Sequence, residues 1–134
     1  MPYWRLFYHI VWATKNREPI IDQEWEDSLY KVMATKAKSL EATVHIIGGI
    51  EDHVHVVVSV PPRIALTSFI GQLKGSSSHF VNHSLTLSHE FGWQAEYGVV
   101  TFGHKQLQWV IQYVRNQRAH HQKSEVVPLL EQFQ

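Results

Sequence analysis

The chain has 134 residues, 44% of them hydrophobic, the size of one globular domain that can bury a core without metal or disulfide staples. It contains no Cys, which excludes disulfides, thiolate zinc sites and cysteine nucleophiles and leaves only oxygen and nitrogen groups for chemistry. Lys plus Arg and Asp plus Glu both number 12, with a pI near 7.2, so global charge does not announce a polyanionic partner.

The charge is unevenly placed. Residues 104–123 hold Lys105, Arg115, Arg118 and Lys123 with no acid, whereas residues 22–41 are acidic in excess. The 10 histidines are mostly uncharged at neutral pH and available as ligands or donors. No apolar run approaches the roughly 20 residues a bilayer requires, and the N-terminus has no secretory pattern. The expectation is a cytoplasmic protein with no membrane partner.

Aromatic and β-branched residues from 3 to 14 predict a first strand. After Pro19, Asp22 is a candidate N-cap for a helix to about residue 41, whose core face is Trp25, Leu29, Val32, Met33, Ala37 and Leu40. Two β-branched runs, 43–50 and 53–60, separated by Glu51-Asp52, predict a hairpin that the Pro61-Pro62 pair stops. A second helix over 64–84 carries Leu66, Phe69, Ile70, Leu73, Phe80 and Val81 on one stripe. Residues 93–102 read as a strand, and beyond Gly103 a third helix shows Leu107, Val110, Ile111 and Val114 as its apolar face. The order is the split β-α-β of ferredoxin-like folds: an α+β antiparallel sheet with two helices on one face and an appended C-terminal helix. The domain is expected over 1–123, and the tail over 124–134, with Leu129 and Leu130, to dock on the domain or a partner.

Three features carry candidate chemistry. His53 and His55 sit at i and i+2 of a strand and share one sheet face, so two imidazoles converge. An H-x-H pair is common and describes ordinary strand histidines as well as metal ligands. On the third helix Trp109, Tyr113, Gln117 and His120 fall beside the apolar stripe, with Tyr113 and Gln117 one turn apart; such a tyrosine is a packing residue or a nucleophile. Lys74-Gly75-Ser76-Ser77-Ser78 is unfavourable for a helix and suggests close approach of a backbone or ligand. It lacks the phosphate-loop ending, so no nucleotide cofactor is expected.

Taken in order, His53-Val54-His55 after Gly48-Gly49, the Lys74–Ser78 run, Trp93, Tyr97-Gly98, Tyr113-Val114-Arg115-Asn116-Gln117 and His120-His121 resemble the HUH single-tyrosine transposases of small insertion sequences, relatives of the repeat-associated tyrosine transposases. The resemblance implies that Tyr113 is the nucleophile and that His53, His55 and Gln117 hold a divalent metal. It implies a homodimer, with the active site formed within one protomer or shared between two, and single-stranded DNA with hairpin ends as the partner. The chemistry it implies is transesterification through a 5′-phosphotyrosyl intermediate, with no ATP because the bond energy is conserved. Neutral His and Gln donors suit Mg²⁺ or Mn²⁺ with phosphate on the open positions. Lys15, Arg17, Lys74, Arg115 and Arg118 are the expected phosphate contacts. Three other readings use the same residues: a hairpin-binding protein without strand transfer, an RNA-binding ferredoxin-like module, and a metallohydrolase with water as nucleophile.

Overall fold

The computed structural model describes residues 3–87, 90–117 and 127–132. Arg118, His120 and His121 lie outside the described residues.

Four antiparallel strands form one sheet: β1 (Tyr8–Ala13), β2 (Thr43–Ile50), β3 (His53–Ser59) and β4 (Gly98–Thr101), in the order β2-β3-β1-β4. That order is the ferredoxin-like one, reached because each β-α-β crossover leaves a gap that a third strand fills. Helices α1 (Glu26–Ser39) and α2 (Leu66–Ser84) cover one face. Helix α3 (Leu107–Arg115) and a short C-terminal helix α4 (Pro128–Glu131) cover the other.

With both faces covered, every residue of β3 is buried. Alternation then sorts the side chains. Val54, Val56 and Val58, with Ile10 and Trp12 of β1, join Leu29, Met33, Phe69, Ile70 and Leu73 in the main core. Val57 faces the second core with Val110, Tyr113, Val114 and Leu130. Glycine is needed where α3 meets β2, because a Cβ at Gly48 would lie 2.9 Å from the Val114 carbonyl oxygen.

The elements match the expected order, with three differences. β1 begins at Tyr8 rather than residue 3: the ladder with β3 starts at the Tyr8–Val58 pair, close to the end of β3 at Ser59, beyond which the Pro61-Pro62 pair has no N–H to extend it. β4 begins at Gly98 rather than Trp93. Lys74 Nζ takes the carbonyls of Gln94, Ala95 and Glu96 at 2.8, 3.3 and 3.0 Å, which ties that segment to α2 and leaves Trp93 only an isolated bridge to Thr14. Asp22 organises a turn before α1, accepting the Glu24 N–H at 2.8 Å, and the helix starts at Glu26.

The small residues of α2 also find a different explanation. A Cβ at Gly75 would meet nothing within 4 Å, so no backbone approaches there. The close approach is at buried Ser77, whose hydroxyl donates to the Leu73 carbonyl at 2.7 Å and accepts the Trp93 indole N–H at 2.8 Å.

Candidate active site and metal centre

The α3 face of the sheet collects polar groups in an otherwise apolar layer. His53 and His55, side by side on β3 and at most 1% exposed, point toward Tyr113 on α3 and toward Gln117, which lies just past the helix end at Arg115 and not on α3 as expected. His53 Nε2 lies 3.3 Å from Gln117 Oε1, and the Tyr113 and His55 rings are 6.3 Å apart.

α4 adds a carboxylate that sequence reasoning missed. Glu131 Oε1 lies 3.3 Å from Nε2 of both His53 and His55. Its Oε2 accepts the Tyr113 hydroxyl and, at 3.3 Å, the Gln117 amide. The Val127 N–H donates to the phenol oxygen at 2.9 Å. Pro128 starts the helix and buried Leu130 anchors it, so the expected docking of the tail on the domain is what holds Glu131 in place. The weak local signal was Leu129-Leu130 beside an acid; nothing in the spacing linked it to residue 53.

Two further partners stand behind the histidines. Asp52 Oδ1 accepts from His53 Nδ1 at 2.8 Å and Arg17 pairs with the other oxygen at 3.2 Å. His9 Nε2 is 2.8 Å from His55 Nδ1. Both imidazoles therefore turn Nε2 into the site.

The electrostatics follow from burial and these contacts. Burial disfavours the His53 cation, but the hydrogen bonds and charges of Asp52 and Glu131 outweigh it and raise the group to about 9. Burial likewise opposes ionisation of Glu131, and hydrogen bonds from His53, His55 and Tyr113 overcome it, holding the carboxyl far below the usual range. Burial, then the bond to Glu131, push the Tyr113 phenol up to about 12, with Val127 N–H opposing. Burial keeps His9 neutral, down to about 3, with His55 adding to the effect and Glu131 opposing it.

The donor set suits a divalent cation. His53, His55 and Glu131 each offer an atom within 4.8 Å of the others, with the Gln117 oxygen beside them. The set is two imidazole nitrogens with amide and carboxylate oxygens, a mixed nitrogen and oxygen environment that a divalent cation takes.

The expected phosphate contacts are differently placed. Lys15 and Arg17 border an open cleft of about 810 Å³ with Phe91 and Trp93, held there by left-handed backbone at Asn16 and Arg17 (φ 58° and 54°). Arg115 is exposed at the end of α3. The Lys74 ammonium is committed to three carbonyls and lies over the Trp12 and Tyr97 rings, a structural clamp where a phosphate contact was expected.

Comparison with known proteins identifies the family. The family model described as Transposase IS200 like matches residues 2–117. The ISDra2 transposase TnpA of Deinococcus radiodurans is 26% identical over 119 residues, 85% of each chain. The IS200 transposase of Salmonella typhimurium is 29% identical over 89 residues, 66% of this chain and 55% of that protein. A solved transposase structure from Deinococcus radiodurans superposes with a TM-score of 0.67 at 26% identity, covering 87% of this chain and 95% of that one. A repeat-associated tyrosine transposase solved with a REP hairpin shares the fold, with a TM-score of 0.66 at 13% identity, covering 94% and 76%. With that match running from the first strand through the tyrosine helix to Gln117, the chain belongs to the IS200-like transposase family.

Proposed function

We propose that this chain cleaves and rejoins single-stranded DNA, with Tyr113 as the nucleophile and a divalent cation, Mg²⁺ or Mn²⁺, held by His53, His55 and Gln117. The observation that carries the reading is the convergence of the Tyr113 hydroxyl, two histidine Nε2 atoms and the Gln117 amide on one small polar volume, with Glu131 in its middle. A bound cation supplies charge to polarise the scissile phosphate. The residues do the rest. α3 aims the phenol, Asp52 orients the His53 imidazole, and the surrounding core excludes water.

The phenol oxygen forms a bond to phosphorus and loses its proton, while the DNA 3′ oxygen leaves as a hydroxyl. The product is a 5′-phosphotyrosyl link that the 3′-OH can reverse without ATP. Glu131 marks the resting state, because an anion there holds the phenol protonated and stands between Tyr113 and the histidine pair. An entering phosphodiester, itself an anion, takes that place and displaces α4.

Hairpin-ended DNA is the proposed partner, supported by family membership and by the REP hairpin seen with the fold relative. Lys15, Arg17 and Arg115, with Arg118, are the proposed phosphate contacts. A domain over residues 1–123 with a tail over 124–134 is the proposed organisation. A homodimer is proposed from the family. The proposed location is the cytoplasm, on the nucleoid when DNA is bound; no helix among the described residues is long and apolar enough to cross a membrane.

The test is a denaturing-gel assay with Mn²⁺ and single-stranded DNA from the flanks of the gene. A protein-DNA adduct lost in Tyr113→Phe and with chelator is expected. Hairpin binding with no adduct would instead identify a binding protein without strand transfer.

A further inference from the structure

His9 is a buried polar residue that the strand transfer reading does not require to touch DNA. It is the second residue of β1, an inner strand of the sheet, at 1% exposure and on the face that carries the histidine pair. The ladder pairs His9 with Val57 and Val11 with His55, so His9 is the diagonal neighbour of His55 across two strands. Its Nε2 is 2.8 Å from His55 Nδ1, with ring centroids 4.9 Å apart and planes at 36°. An imidazole in the centre of a sheet costs free energy unless its polar atoms are used, and the alternating pattern around it would otherwise take Val or Ile.

We propose that His9 is a positioning residue for the cation site: it accepts the Nδ1 proton of His55 at its own Nε2, so that His55 presents an unprotonated Nε2 beside His53 and Glu131. This rests on the divalent-cation reading above. His53 receives the equivalent support from Asp52, so the two ligands are oriented by chemically different groups, one anionic and one neutral. The difference has a reason. Asp52 is partly exposed and shares its charge with Arg17, whereas the His9 position is closed by β3 and β4, where a carboxylate would be costly. A neutral imidazole fixes the tautomer and ring plane of His55 without burying a charge.

The test measures Mn²⁺ binding by electron paramagnetic resonance, without DNA, for the full chain and for His9→Leu and His9→Gln. Metal-site partners of this kind change affinity by about 10–100-fold, so that loss is expected in His9→Leu, with His9→Gln, which keeps an acceptor, recovering to within about fivefold of the parent. Thermal melts and hairpin binding report folding. A folded His9→Leu protein that binds Mn²⁺ like the parent overturns the proposal. A second readout needs no variant: in the Mg²⁺-loaded parent, nitrogen NMR is expected to show the proton on His55 Nδ1 coupled across the bond to His9 Nε2, and absence of that coupling also overturns it. Failure of the parent chain to bind either ion would overturn the cation reading itself and this inference with it.

Discussion

Replacing Glu131 by Gln separates its two effects on the site. The amide keeps the shape but removes the one negative charge in contact with both histidine Nε2 atoms and the phenol. A unit charge about 4 Å from another is worth about 4 kcal/mol at an effective dielectric of 20, before desolvation is subtracted. A net loss of about 1–3 kcal/mol, or roughly 5–150-fold in Mn²⁺ affinity without DNA, is therefore expected. The chemistry moves the other way. Tyr113 is raised from 10.0 to about 12 by burial first and Glu131 second, so removing the carboxylate makes its ionisation easier. Glu131→Gln is thus expected to bind Mn²⁺ more weakly yet, at saturating Mn²⁺, to form the DNA adduct faster, because the entering phosphodiester has no carboxylate to displace from the phenol. Calorimetry and a single-turnover gel assay measure the two quantities. Slower adduct formation at saturating metal would refute the reasoning and make Glu131 the acceptor of the tyrosine proton.

Other outcomes follow from the same contacts. Asp52→Asn removes the carboxylate behind His53 and is expected to weaken Mn²⁺ binding by about 10–100-fold while leaving Tyr113 in place, checked by calorimetry. In the metal-free protein His53 is raised from 6.5 to about 9, so its stabilisation is present in full below pH 6.5 and is lost as pH rises through about 9. His9 is lowered from 6.5 to about 3, so its neutral burial costs stability as pH falls below 6.5. Melting with chelator present should therefore peak near pH 6.5, and a midpoint that climbs steadily to pH 9.5 would contradict the assignment. The same His53 proton must leave when a cation binds, so Mn²⁺ affinity should increase with pH up to about 9. Gly48→Ala places a methyl 2.9 Å from the Val114 carbonyl oxygen and should cost about 1–3 kcal/mol in denaturant unfolding, with adduct formation falling as α3 shifts.

Much of the site was legible in the sequence because its key spacings are local. Period-two alternation puts His53 and His55 on one face whatever the strand packs against, whereas the helical spacing that suggested Gln117 beside Tyr113 is interrupted at Asn116, past the end of α3. The strand and helix order followed from apolar periodicity, and the hairpin from two runs joined by Glu51-Asp52. Strand ends were not legible, because a strand stops where its partner stops: Pro61-Pro62 trims β1 from across the sheet, and Lys74 pulls the start of the expected fourth strand away. Lys74 itself shows that a cation's partner, backbone or phosphate, is a tertiary matter.

What only the tertiary structure decided are the contacts between residues far apart in the chain. His9 reaches His55 across 46 residues because β1 and β3 pair in one register, in which a one-residue slip would turn His9 to the opposite face. Glu131 reaches the histidines because Leu130 buries against the second core and Pro128 starts a helical turn at the right place, neither of which has a period to read. The sequence by itself determined which chemical groups exist and which near neighbours share a face; packing decided which of them meet, since burial and register act between elements and leave no local spacing behind.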